Sequence, residues 1–366
     1  MSWNWRDWRN DLLASPRFQA FAASFLPTRT IAARRAQKAF DLAAGFVYSQ
    51  ILLACVELRL FEKLRTGPRS AASLAPELDL TEAATLRLLR AATALDLAEE
   101  RGTDTFGLGP QGAALLGNPG ALAMIEHHRL VYADLADPVA LLRGQAGTTH
   151  LSRFWAYAKA QAPNEITGER VSDYSTLMAG SQTLVRGDVL DAYPLNKARF
   201  LLDVGGGEGA FLEEALRRHQ GLRGAVFDLP SVAERARARF ERMNLGERAQ
   251  AYGGDFGVDE LPSGADVISL VRVLHDHDDA IAIPLLRNIK RALAPGGLLI
   301  LAEPMSREAG SKAVGDAYFG FYLMAMGSGQ PRTPSRIAGM LRDAGFTRSR
   351  VIPTRRPMLT RLIEAG

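Results

Sequence analysis

The stretch Phe200-Leu-Leu-Asp-Val204, running straight into Gly205-Gly-Gly-Glu-Gly209, constrains what this chain can fold into more than any other feature. A short apolar run predicts a buried strand, the clustered glycines a tight turn, and Ala210 to Arg218 a helix. That is the strand, glycine turn, helix unit of a Rossmann-like doubly wound α/β sheet. Its glycines let a ligand approach the backbone, and the helix start offers unpaired N–H groups. Alone the loop is ambiguous, because Gly205-x-Gly207-x-x-Ala210 also suits a nicotinamide dinucleotide.

The strands that follow narrow the choice. Gly224-Ala-Val-Phe-Asp228 ends in an acid 23 residues after Gly205, placed to accept two hydrogen bonds from a ribose diol. Ala249 to Tyr252 leads into Gly253-Gly254-Asp255-Phe256, where a carboxylate can meet an adenine amino group and Phe256 its ring; a turn is the competing role for Asp255. Ala265 to Val271 runs into Arg272-Val-Leu-His275-Asp276-His277-Asp278-Asp279 and then a helix to Leu293. Polar groups massed at the carboxyl end of a strand mark a catalytic rim. Ala294-Pro-Gly-Gly297 turns into a fifth strand, Leu298 to Ala302, ending at Glu303. A late pair, 347–353 and 358–364, is expected to close the sheet as an antiparallel hairpin. Nicotinamide domains typically lack that hairpin, so the whole pattern favours S-adenosyl-L-methionine.

The first half reads differently. Residues 1–40 form a basic aromatic arm holding seven basic and two acidic residues, so the chain's +4 charge sits there and not across the whole surface. Trp5, Trp8 and Leu12 share a helical face with Arg6 and Arg9 off it, the composition of a helix in a lipid headgroup region or of an arm clasping a partner subunit. A helix from Phe40 to Leu64, a short one over 70–75, a helix 82–95 capped by Thr81 or Asp79, and a hairpin around 101–104 follow in winged-helix order. Helix 82–95 offers only Arg87 and Arg90 to a DNA groove, so no nucleic acid is expected. A lone cysteine, Cys55, rules out an intrachain disulfide and fits a reducing compartment. No uninterrupted apolar run reaches the roughly 18 residues of a spanning helix, so a cytoplasmic protein is expected.

Five motifs in one order then identify a resemblance. Asp203-Val-Gly-Gly-Gly, Phe227-Asp-Leu-Pro230, Gly253-Gly-Asp255, Leu274-His-Asp276 and Ala294-Pro-Gly-Gly297 resemble the acetylserotonin- and caffeate-type O-methyltransferases. The arm, with Trp-Arg-Asp-Trp-Arg and Phe-Asp-Leu-Ala-Ala-Gly-Phe-Val-Tyr-Ser-Gln, is similar to the carotenoid hydroxyl O-methyltransferases of phototrophic purple bacteria. A related branch methylates a tetrapyrrole ring carbon, and the His-Asp pair speaks for oxygen instead. The resemblance implies a class I methyltransferase sheet over 196–366, a winged-helix dimerisation domain over 41–115, and a helical connector over 116–195. It also implies a homodimer, an apolar hydroxylated carotenoid as substrate, and contact of residues 1–38 with the photosynthetic membrane.

By motif position the resemblance implies that Asp203, Gly205 and Gly207 hold the cofactor's amino-acid end, Asp228 and Leu229 the ribose, and Asp255 with Phe256 the adenine. Arg272 falls where the family also contacts the cofactor region. His275 aligns with a general base and Glu303 with the carboxylate that orients it. Phe154, Met178, Tyr318, Phe319, Tyr322 and Met326 are the expected acceptor lining, the last four in the segment 315–326. Two departures stand out: His277 replaces a family tryptophan, and Pro331 falls at a second family carboxylate. No metal is expected, since His275, Asp276, His277 and Asp279 lie too close in the chain to converge on one ion.

Overall fold

The computed structural model describes residues 4–155, 185–307 and 313–366. The chain divides into two compact units, Met1–Gly117 and Asn118–Gly366.

The first unit opens with the helices Trp5–Ala14 and Pro16–Ser24, and Leu26–Glu57 follows as one helix of 32 residues. Pro16 and Pro27 stand in the first turns of their helices, where a missing N–H is tolerated, so they start helices and do not break them. The long helix passes residue 40 without interruption. It ends where Arg59 takes a left-handed φ of 53°, and Leu60–Arg65 starts anew, so the single helix expected over 40–64 is two. Strand β1 (Arg69–Ser70), the helices Ala71–Leu78 and Glu82–Ala94, and the hairpin β2 (Ala98–Gly102) and β3 (Thr105–Leu108) complete the unit. Thr81 Oγ1 caps the second helix by accepting from Ala84 N–H at 3.2 Å, while Asp79 closes the first at φ 53°. The sheet order is β1-β3-β2.

Among the described residues, Leu26–Glu57 is the helix that bears on the membrane reading. An 18-residue window of it has a mean hydropathy of 1.7, so by length and composition the helix could cross a membrane. It holds no unbroken apolar run of that length, because Asp41 and Gln50 interrupt the pattern. Leu42 is 86% and Phe46 71% exposed, which a helix buried in a soluble core would not show.

In the second unit, short helices over 119–154 precede a seven-stranded sheet. Its strands are β4 (Phe200–Val204), β5 (Arg223–Asp228), β6 (Ala249–Gly253), β7 (Ala265–Val271), β8 (Leu293–Glu303), β9 (Ser349–Ile352) and β10 (Arg361–Ala365). Their order is β6-β5-β4-β7-β8-β10-β9, with β10 antiparallel to both neighbours and the rest parallel. The expected C-terminal hairpin is therefore present. Alternate residues serve opposite faces: Leu202, Ile268, Leu270 and Leu301 pack toward the helices Asp279–Ala292 and Pro334–Asp343, while Leu201, Val226, Val267 and Ile300 pack toward Ala210–Arg218 and Pro230–Arg242. Strand β8 starts earlier than expected. Ala294-Pro-Gly-Gly297 is drawn into it as an irregularity, with Gly296 at φ +78°.

The chain runs outward from β4 in both directions, so the sheet reverses between β4 and β7. A crevice at the carboxyl ends of strands beside such a switch point is where this architecture binds ligands. The glycine loop, Asp228, Arg272 and Glu303 all stand at those ends.

Candidate active site

After β4 the backbone enters the left-handed region three times, at Gly205 (φ +66°), Gly207 (φ +59°) and Gly209 (φ +77°). A Cβ on Gly205 would lie 2.7 Å from Val273 Cγ2, whereas one on Gly207 would meet nothing within 4 Å. Gly207 N–H donates to Asp228 Oδ2 and Leu229 N–H to Oδ1, both at 2.8 Å, so the loop itself orients the carboxylate at the end of β5. Burial pushes that carboxyl up, and the two N–H donors pull it back. Asp203 lies behind the loop. Its Oδ1 accepts from Ser269 Oγ at 2.6 Å, its Oδ2 is buried without a hydrogen-bond partner, and burial pushes its pKa up to about 7.

Asp255 makes a turn: its Oδ1 accepts from Gly257 N–H at 2.8 Å, and its own N–H donates to Asp259 Oδ2 at 2.7 Å. Phe256 is half-buried and meets the His277 ring edge-on at 5.3 Å.

Beyond β7, Arg272 is held at φ 57°, a conformation costing a non-glycine residue roughly 1–2 kcal/mol. Its guanidinium lies 5.9 Å from the Phe319 ring centre, and its Nε is buried with no hydrogen-bond partner. A single 3-10 turn, Leu274–Asp276, then presents His275. Glu303, at the end of β8, accepts Val273 N–H (3.1 Å) and Leu274 N–H (2.7 Å) on Oε1, and its Oε2 pairs with His275 Nδ1. Asp276 Oδ1 lies 3.2 Å from His275 Nε2. The imidazole is thus buried between two carboxylates. Burial pushes its pKa down, Asp276 and Glu303 push it up more, and the net is above the ordinary histidine value. Neighbouring His277 goes the other way, because burial dominates there.

Facing His275 is a helical passage whose first turn is a π-helix, Ala313–Tyr318, before the α-helix Phe319–Met326. Phe319 meets the His275 ring edge-on at 5.6 Å. Tyr318 OH bonds His128 Nε2 at 2.7 Å; Tyr322 OH bonds His127 Nε2 at 2.6 Å and accepts Trp155 Nε1–H at 3.0 Å. Phe154 packs 4.6 Å from the His127 ring. Burial pushes Tyr318 up to about 12 and His127 down to about 4, so these pairs are uncharged at neutral pH. Met326 has no accessible surface and packs with Leu151 and Trp155. Met178 lies outside the described residues.

The four polar residues weighed as metal ligands do not converge. His275 Nδ1 is taken by Glu303, and Asp279 pairs with Arg332 and Arg336. Sequence reasoning placed Asp276 in the His-Asp motif but gave it no role as a partner of His275. It also missed Arg332, which sits 4% exposed beneath the His275 turn.

This sheet order, with the glycine loop and Asp228 at its switch point and a histidine–carboxylate pair on its rim, is that of a doubly wound α/β fold with a candidate ligand site. Family models match an O-methyltransferase domain over residues 132–347 and an O-methyltransferase dimerisation domain over 40–118. The chain is 41% identical to the demethylspheroidene O-methyltransferase of Cereibacter sphaeroides, over 97% of this chain and 93% of that protein. It is 33% identical to the acetylserotonin O-methyltransferase of Mus musculus, over 89% and 87%. Among solved structures, the mitomycin 7-O-methyltransferase MmcR superposes with a TM-score of 0.76 at 26% identity, covering 92% of this chain and 99% of that one. Human N-acetylserotonin methyltransferase in complex with S-adenosylmethionine gives 0.74 at 25%, covering 91% and 97%. The chain belongs to the O-methyltransferase family and carries that family's dimerisation domain. Its methyl donor is S-adenosyl-L-methionine.

Proposed function

We propose that this enzyme methylates the tertiary 1-hydroxyl of an acyclic hydroxycarotenoid, with His275 as general base. The observation that carries the reading is the buried His275–Glu303 pair set edge-on against Phe319, in a chain 41% identical to a demethylspheroidene O-methyltransferase.

S-adenosyl-L-methionine, when bound, supplies a methyl group on a positively charged sulfur, so the methyl carbon needs no further activation and the residues here have only to place the acceptor oxygen and take its proton. The residues present fit it: the loop is open above Gly207, and Asp228 is already aimed by that loop. Gly205 and Gly207, backed by Asp203, would take the amino-acid end; Asp228 and Leu229 the ribose; Asp255 and Phe256 the adenine. Arg272, with its buried Nε unpartnered, would border the same space.

A tertiary alcohol is a far weaker acid than imidazolium, so its proton must leave as the new C–O bond forms. His275 Nε2 accepts it. Glu303, pinned by two backbone N–H groups, fixes the proton on Nδ1 and offsets the positive charge. Asp276, beside Nε2, stabilises the protonated ring. Phe154, Tyr318 and Phe319 would offer aromatic faces to a polyene, while Tyr322 and Met326, expected from the sequence as lining, are buried in the cluster that backs them.

A carotenoid resides in the bilayer, which gives the arm a purpose. Trp5, Trp8, Phe21 and Phe25 are exposed beside Arg6, Arg9 and Arg17, so residues 1–38 would seat a cytoplasmic enzyme on the inner photosynthetic membrane. Incubation with labelled donor and a hydroxylated acyclic carotenoid, a panel of phenols and a tetrapyrrole, read by mass spectrometry, tests the substrate. A methyl ether of the carotenoid is expected; product from the phenols or the tetrapyrrole alone overturns the assignment.

A further inference from the structure

The carbonyls of the short turn that carries His275 receive one weak bond from the turn itself, His277 N–H to Leu274 C=O at 3.4 Å, and one distant segment reaches them. Arg332 Nη1 donates to Leu274 C=O at 2.8 Å, Gln330 N–H to His275 C=O at 2.9 Å, Ser328 Oγ to Asp276 C=O at 2.8 Å, and Arg332 Nη2 to His277 C=O at 2.7 Å. Four consecutive carbonyls are thereby held from residues 328–332. Arg332 is 4% exposed, and its remaining donors, Nε at 3.0 Å and Nη2 at 2.7 Å, reach Asp279 Oδ1, which balances its charge. Gly329 must be glycine for the approach to occur: at φ +81°, a Cβ there would sit 2.2 Å from His275 C=O. Its N–H is held by Asp278 Oδ1 at 3.0 Å.

We propose that residues 328–332 are a positioning clamp for the base, with Arg332 as the positioning residue that sets where His275 Nε2 points. Glu303 fixes the imidazole from the sheet side, and the clamp fixes its backbone from the other. The clamp lies in the segment where Pro331 stands in place of the second carboxylate to which the family resemblance points. Only a planar guanidinium spans two carbonyls and a carboxylate together; a lysine ammonium is a point donor and cannot. The inference rests on His275 being the base.

Arg332→Lys tests it. Displacing a reacting group by about 1 Å can cost on the order of a hundredfold in rate, so kcat is expected to fall ten- to a hundredfold with KM for donor and acceptor unchanged. The His275 titration, followed by NMR of ¹³C-labelled histidine, is expected to move to lower pH as the ring drifts from Glu303 and Asp276. Gly329→Ala, which keeps Arg332 and displaces the same carbonyls, should reproduce both effects. Wild-type kcat together with an unmoved His275 titration in either folded variant overturns the clamp. His275→Ala, assayed in parallel, separates the two readings: full activity there removes the base, while the NMR shift still reports whether Arg332 positions the ring.

Discussion

His275 is charged more readily than an ordinary histidine because two carboxylates outweigh its burial, and this has a signed consequence for the reaction. Only the neutral ring can accept a proton, so activity rises with pH through the raised pKa, and the acidic limb of the kcat profile lies above the roughly 6.5 of free histidine. Glu303→Gln removes one of the raising charges. The limb is then expected to move to lower pH while kcat falls about ten- to a hundredfold; an unmoved limb in that variant would show that Glu303 does not set the titration. At the cofactor end, Asp228→Ala should raise the KM for S-adenosyl-L-methionine with a smaller change in kcat, since the ribose contact is made equally in ground and transition states. Glu303 and Asp228 were legible because each ends a strand, visible as an apolar run meeting a polar residue, and His275 because it stands in the polar stretch just beyond β7. The role of Asp276 beside Nε2 was not legible, because a residue adjacent in sequence gives no sign of which ring nitrogen it will face. Asp278 occupies the N-cap position, but it makes no side-chain cap bond and instead holds Gly329.

At the scale of elements, the central strands were legible because both faces are buried, leaving near-continuous apolar runs bounded by glycine. Leu270 in β7 has no accessible surface, and Leu270→Ala is expected to cost about 2–5 kcal/mol, measurable as a lower urea midpoint with the slope unchanged. The start of β8 was not legible, since Pro295 and the two glycines after it carry turn chemistry that β7 pairing absorbs as an irregularity. Nor was the clamp: Ser328 to Arg332 reads as an ordinary loop, and its partners lie more than fifty residues away in sequence. Local pattern cannot report which carbonyls a distant arginine will reach. The π turn before Phe319 was hidden for a related reason, because a widened turn leaves the composition of a helix unchanged.

For the whole molecule, the exposed face of Leu26–Glu57 lies partly within the dimerisation domain, and burial against a second copy would account for its apolar character. Phe46→Asp is expected to shift the protein toward monomer in size-exclusion chromatography with light scattering; an unchanged dimer would place the subunit contact elsewhere. The more N-terminal aromatics suit lipid. Replacing Trp5 and Trp8 by serine should weaken binding to anionic vesicles while leaving donor affinity intact, and undiminished vesicle binding would return the arm to the subunit interface. The central claim, that His275 removes the acceptor proton, is tested most directly by the single-turnover rate of methyl transfer to a hydroxylated acyclic carotenoid in His275→Ala. A fall of about a hundred- to ten-thousandfold with donor binding retained is the expected result. A rate within a few fold of the unaltered enzyme would contradict it.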